Sequence, residues 1–452
     1  VTPEEFSTLI ALEPSWTVSV NGASFLHLAT ADIEIVAGSL RAERLLRKIL
    51  EIQPVRLNVV RVRARGRYRS QVDTLTFYAG EILPSADALR RRRRTFVRQL
   101  VPVLEKRFGS RVARETLHSD KQRGISGAYP RLLFGNTHAV IAVDPDEASP
   151  VVNGVVRAAI LWAPVVKRKI TVVLPTGRSA TISARIRAIA ELQKRFEWLE
   201  WDGVTLQNLS WDNQQTETNV HPYVAPKVDA EVARILALGP DLLQAVPSIA
   251  SQAVSVRLRG LELARVAEAG TEFPLGEPLE LLIEQLSEER RAGSRHPLAR
   301  VHEEAWLESN LMAQIRDVLP VRRDHMYPQV PSFAGEDRKI IDILTVLDSG
   351  RLAVIEIKAS ADPELPFQAL DYWLAVERHR KAGDFKANGY FNGVEVLDEP
   401  ATLVIVAPLL QFHRTLSRLT ALFPAEVPLL EVGVNQGWKK EIKVLRRRGP
   451  LG

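Results

Sequence analysis

The chain of 452 residues contains no cysteine at all. Disulfides, Cys-based zinc sites and thiolate-held iron–sulfur clusters are therefore excluded. Its nine histidines show no H-E-x-x-H or comparable ligand spacing. No G-x-x-x-x-G-K-[ST] phosphate loop occurs, so the chain carries no P-loop helicase motor of its own. It also lacks a run of eighteen apolar residues, and its opening, VTPEEFSTLI, is acidic where a secretory signal would be basic. A soluble, cytoplasmic protein is expected. Neither an internal repeat nor a low-complexity segment is visible.

What is present suits globular cores: 46% of residues are hydrophobic and 25% charged, with a formal net charge of +6. The length suggests two to four domains. Residues 1–145 mix strands (VRLNVVRVRA, TLTFYAG) with helices (LRAERLLRKILEI and the arginine-rich LRRRRRTFVRQL), an α+β domain. DPDEASPVVNG reads as a linker by its proline, acid and glycine content. Residues 150–225 read as a small β-rich domain, in which AAILWAPVVKRKITVVLPTGRSATISARI is β with PTGR as a turn between apolar strands, followed by a helix through AIAELQKRFEW. Its WLEWDGVTLQNLSWDN is read as core or contact tryptophan, with base stacking as the other option. Residues 226–300 read as a mainly helical connector, interrupted by the alternating strand VSVRLRGLELARV. Residues 301–445 alternate helix and strand as an α/β domain, a mixed sheet flanked by helices.

The most informative stretch is IIDILTVLDSGRLAVIEIKAS, residues 340–360. Asp348, Ser349 and Gly350 suit a three-residue hairpin turn, with glycine where a positive φ is needed. Counting outward from Ser349 sets Leu347 against Arg351 and Asp342 against Glu356, with Cβ atoms about 5 Å apart. Lys358 follows on the same face, about 7 Å along. Apolar residues fill both faces of the hairpin, so these charges do not read as a solvated edge. Two opposed, partly desolvated carboxylates repel unless a cation or proton lies between them. A hard divalent cation such as Mg²⁺ or Mn²⁺ would supply the charge.

This hairpin resembles the core of the PD-(D/E)xK nuclease superfamily, whose motif is an acidic residue on one strand and Glu-x-Lys on the next. Asp342 and Glu356-Ile357-Lys358 match it. RecB-like members add an upstream helical glutamate and a downstream Gln-x-x-x-Tyr, matched here by Glu308 in EAWLESNLMAQI and by Gln368 and Tyr372 in LPFQALDYWLAV. The resemblance covers residues 300–410 and implies a restriction-endonuclease-like fold. It further implies that Asp342, Glu356 and Glu308 hold Mg or Mn, that Lys358 orients the attacking water or stabilises phosphorane charge, and that Gln368 and Tyr372 support the site and contact substrate.

Basic residues concentrate upstream. Arg61, Arg63, Arg65, Arg67 and Arg69 alternate with Val60, Val62, Ala64 and Tyr68, apart from the bend offered by Gly66. On a strand they would line one face at about 6.6 Å spacing, comparable to successive phosphates. A second cluster around Arg91 and Arg94 opens a helix whose apolar side is Phe96, Val97, Leu100 and Leu104. Both sets are read as nucleic-acid-binding, against the plainer reading of solvated basic faces. The expected function is a metal-dependent deoxyribonuclease acting in repair, recombination or defence. RNA is not excluded, and the missing P-loop leaves room for a separate helicase or ATPase partner. The alternative is a catalytically silent or partner-dependent scaffold that binds nucleic acid.

Overall fold

The computed structural model describes residues 2–449 except 14, 21–23, 37, 43–44, 57–58, 67–71, 80–85, 212–218, 226, 250, 276–277 and 335–336. The described residues form a mixed α/β protein with four sheets, divided into two compact units.

The first unit comprises residues 1–84, 225–313 and 439–441. Its seven-stranded sheet is antiparallel throughout, with Val59–Gly66 near the middle between Leu45–Arg56 and Val72–Ala79. Strand alternation buries Val60, Val62 and Ala64 beside Val18, Leu75 and Phe77. LRAERLLRKILEI, expected as a helix, instead forms Ser39–Ala42 and the start of Leu45–Arg56. Pairing on both sides outweighed the helical preference of Leu, Arg and Lys. The mainly helical connector carries more strand than expected: VSVRLRGLELARV forms two strands, Ala253–Leu258 and Leu261–Ala267. It holds a four-stranded meander, Leu243–Ser248 to Gly270–Glu272, between the helices Asp229–Leu236 and Leu279–Glu289.

The second unit comprises residues 85–224, 314–438 and 442–452. It contains two six-stranded sheets. The first runs β1 (Val112–Thr116), β2 (Arg131–Phe134), β3 (His138–Ala142), β4 (Lys169–Pro175), β5 (Phe196–Trp201) and β6 (Leu206–Asn208) in spatial as well as chain order. Neighbours pair antiparallel except β3–β4 and β4–β5, which are parallel. Parallel pairs require crossovers, supplied by helices that include α2 (Val155–Val166) and α3 (Ala180–Ala188). Helix α1 (Ala86–Phe108) lays Phe96, Val97, Leu100 and Leu104 on this sheet, against Leu132, Phe134, Val140, Ala142 and Trp201.

The expected boundary at 145–150 therefore falls inside one sheet. The DPDEASPVVNG segment is tied down rather than a linker. Arg92 lies 3.2 Å from Asp144 and 3.0 Å from Glu147, and Arg178 Nη1 donates to the Pro145 and Glu147 carbonyls at 2.6 Å. ATISARI, expected as strand, lies on helix α3, and AAILWAPVV is likewise helix, not strand. It is apolar on every side because Val155–Trp162 are buried throughout, and a continuous apolar run carries no period that separates helix from strand. Among the described residues, Ser149–Val166 is long and apolar enough to cross a membrane, with 56% of it buried inside the protein. Trp198 and Trp201 are core residues, and Trp198 Nε1 donates to the Leu192 carbonyl.

The second sheet runs β7 (Tyr327–Ala334), β8 (Asp337–Val346), β9 (Leu352–Ile357), β10 (Thr402–Pro408), β11 (Leu429–Val434) and β12 (Val444–Arg448), again in chain order. Its pairing senses repeat those of the first: only β9–β10 and β10–β11 are parallel. Helix α4 (Leu365–Ala382) belongs to the first crossover and α5 (Leu416–Thr420) to the second. β12, which carries Arg446, Arg447 and Arg448, is thus an edge strand beside β11.

Candidate active site

Hairpin β8–β9 forms as its turn chemistry dictates. Gly350 adopts φ 91°, and Leu347 N–H donates to the Arg351 carbonyl at 2.8 Å. Ile343 opposes Ile355 and Val346 opposes Leu352. One further step in this register sets Asp342 against Glu356. Because Leu347–Arg351 is a hydrogen-bonded pair, alternation makes Asp342–Glu356 a non-hydrogen-bonded pair, the kind whose side chains lie closer. At that point Asp342 Oδ2 accepts the Ile357 N–H at 2.7 Å, so the aspartate side chain takes the place of a ladder carbonyl.

Strand β9 is buried along its whole length, between β8 and β10, and Glu356 is 0% exposed. Lys358 stands just beyond the strand, where its N–H donates to Val406 O at 3.0 Å. Its Nζ lies 3.3 Å from Glu356 Oε1, and the side chain is 11% exposed. Lysine beside a fully buried carboxylate offsets part of the cost of burying that charge.

Helix α4 brings Gln368 and Tyr372 to the same place. Four residues apart, they share a face, and Gln368 Nε2 donates to the Tyr372 hydroxyl at 3.1 Å. Burial pushes the Tyr372 hydroxyl far above its ordinary range, with the Glu356 and Asp342 carboxylates adding to the rise. Tyr372 is therefore a neutral hydrogen-bond donor at any physiological pH. Five of the residues expected at the site are brought together in this one unit: Asp342, Glu356, Lys358, Gln368 and Tyr372.

Glu308 lies in the first unit, on the helix Glu303–Ala313. It is buried, and Arg257 Nη1 lies 3.6 Å from its Oε1. Of the basic ridge, Arg61, Arg63 and Arg65 are exposed on Val59–Gly66, and Arg63 pairs with Glu51 at 3.0 Å. Arg67 and Arg69 lie outside the described residues. On α1, Arg91 and Arg94 are exposed, whereas their neighbours Arg92 and Arg93 are engaged by Asp144 and Glu147.

As a donor set, Asp342 and Glu356 offer hard carboxylate oxygens, the type that suits Mg²⁺ or Mn²⁺. Both act on Tyr372, so their negative potentials converge on one point. Among the described residues a second acidic group, Glu5, Glu289 and His296, also brings potential ligand atoms within 4.8 Å of one another. There His296 Nε2 lies 3.1 Å from Glu5 Oε1 and its Nδ1 lies 3.8 Å from Glu289 Oε2, contacts that need no ion. The spacing of these three along the chain gives no signal of their meeting.

Comparison with protein-family models and with curated proteins finds no match. The reading of the site therefore rests on its own geometry.

Proposed function

We propose that the β7–β12 layer with α4 is a PD-(D/E)xK-type nuclease domain of restriction-endonuclease-like fold, which hydrolyses phosphodiester bonds of DNA with Mg²⁺ or Mn²⁺. The observation that carries this is the opposed pair Asp342–Glu356 with Lys358 Nζ 3.3 Å from Glu356. Asp342 and Glu356 would hold the metal. The bound ion would polarise the phosphodiester and lower the pKa of a water.

Lys358 places a fixed positive charge beside the reacting phosphate, where negative charge grows on the non-bridging oxygens. The water oxygen bonds to phosphorus, its proton passes to solvent, one P–O ester bond breaks, and the departing sugar oxygen is protonated. Tyr372, held neutral and accepting from Gln368 Nε2, keeps its own O–H to donate. It supports the carboxylates or a phosphate oxygen without competing for the metal. The exposed Arg61, Arg63, Arg65, Arg91 and Arg94 are assigned to the nucleic-acid backbone.

The test is cleavage of supercoiled, linear and single-stranded DNA with Mg²⁺, Mn²⁺ or EDTA, comparing the native chain with Glu356→Ala. Metal-dependent cutting that the variant loses supports the reading. Tight, salt-sensitive binding without cutting by either protein would make the chain a scaffold or a subunit awaiting a partner.

A further inference from the structure

The two sheets of the second unit share strand order and pairing sense at every step. Their registers can be matched. Both parallel ladders comprise five pairs, the last being Ala142–Val173 in β3–β4 and Ile357–Val406 in β9–β10. Each then gains one further bond: Val143 N–H to Val173 O at 3.2 Å, and Lys358 N–H to Val406 O at 3.0 Å. Val143 thus occupies the place of Lys358, and Ile141 that of Glu356. Arg131, directly opposite Ile141, occupies the place of Asp342. The hydrogen-bond alternation agrees, because Ala142 N–H donates to Pro130 O, making Arg131–Ile141 a non-hydrogen-bonded pair as Asp342–Glu356 is.

The packing of the two layers repeats the correspondence. α2 and α4 occupy the same crossover, as do α3 and α5. Arg185 on α3 meets Asp371 on α4 through two bonds of 2.9 and 2.8 Å, and Arg418 on α5 donates to the Ile160 carbonyl of α2 at 3.1 Å. Contacts that exchange equivalent elements in this way are those of a two-fold interface.

Where the second sheet has a carboxylate, the first therefore has a guanidinium. Arg131 is 4% exposed and its Nε has no hydrogen-bond partner, while one Nη donates to the His118 carbonyl. It lines a cavity of about 590 Å³ with Arg114, Lys121, Arg123 and Arg168, against a single acid, Asp120. Burial, with Arg123 and Arg114 adding and Asp120 opposing, holds the Arg131 guanidinium below its usual range. A buried cation among other cations is costly without an anion.

We propose that the α1–β6 layer is a second copy of the nuclease-like layer, disabled for cutting, whose Arg131 cavity holds a phosphate of the nucleic acid that the other copy cuts. The chain is then an internal dimer with one cutting centre, and it severs one strand per engagement. The identity of the ligand rests on the nuclease reading. The presence of an anion site at Arg131 does not.

Two measurements test this. Binding of a fluorescein-labelled DNA duplex in EDTA is followed across salt for the native chain and for Arg114→Ser/Arg168→Ser, the first exposed and the second half-buried, with Arg131→Met as a second variant; each variant is accepted only if its urea midpoint is near native. At least tenfold weaker binding is expected, with a salt slope shallower by about 2 in the double variant. Unchanged affinity and slope would overturn the site. Duplex binding that the variants weaken but that ATP or inorganic phosphate displaces fully at micromolar concentration would overturn the assignment to the nucleic-acid backbone. Separately, supercoiled plasmid with Mg²⁺ should pass through nicked circles before any linear form. Linear product from the outset would refute the single cutting centre. If no metal supports cutting, the nuclease reading falls, and the binding measurement alone decides the anion site.

Discussion

The contact between the two layers of the second unit offers a sharp test of the architecture. Arg185 and Asp371 are buried to 4% and 6% side-chain exposure. The guanidinium makes two bonds to the carboxylate and one of 2.8 Å to the Asn153 carbonyl, and lies 4.9 Å from the centre of the Phe367 ring. Burial works against the charge on Arg185, but Asp371, helped by Glu364, outweighs it and holds the group firmly protonated. Asp371→Ala leaves that cation desolvated and without its counter-charge, at a cost of about 3–5 kcal/mol. For a unit of this size that corresponds to a fall in Tm of roughly 6–20 °C. Replacing both partners, Arg185→Leu/Asp371→Leu, removes the stranded charge and should return most of the loss, because an apolar pair can substitute for a buried ion pair. Urea and thermal unfolding of the native chain, the single and the double variant measure all three. A single variant within about 1 kcal/mol of native, or a double as unstable as the single, would refute the buried contact.

Asp342→Asn keeps the shape but not the charge of a proposed metal ligand; cleavage should fall by at least a hundredfold while duplex binding in EDTA stays within twofold. Equal cleavage would remove Asp342 from the site. Replacing Arg61, Arg63 and Arg65 together by Ser should make the salt slope of DNA binding shallower by about 2 to 3, at the lower end because Arg63 is already shared with Glu51; an unchanged slope returns the ridge to a solvated face. His413 has its pKa lowered from 6.5 by burial and by Arg157 and Arg414, with Asp362 opposing. The unfolded chain then takes up a proton first as pH falls through 6.5, so stability should decline from pH 7 towards 5. His413→Gln should flatten that part of the profile, and urea midpoints at pH 7 and 5 that fall equally in both proteins would refute the assignment.

Much of the candidate site was legible because its determinants are local. The glycine at 350, the three-residue turn and the two-residue period of the strands set Asp342 against Glu356 before any tertiary contact is considered. The four-residue spacing likewise put Gln368 and Tyr372 on one helix face. The exposure of Arg61, Arg63 and Arg65 followed from the same alternation. Where local preference and burial disagreed, the reading failed: a leucine- and arginine-rich segment was drawn into strands by pairing on both sides, and Val155–Val166 lost its helical period because every side is buried.

Only the tertiary structure revealed that the chain contains two sheets of one topology. They share no motif, since Arg131, Ile141 and Val143 stand where Asp342, Glu356 and Lys358 stand. Equivalence of this kind is written in the order and direction of strand pairing, which long-range contacts create, and not in the identity of residues. The amino-acid sequence determined the hairpin, its turn and the charges opposed on it. The fold decided which cavity collects Arg114, Arg131 and Arg168, because a site assembled from β1, β2 and the end of α2 has no spacing along the chain to announce it.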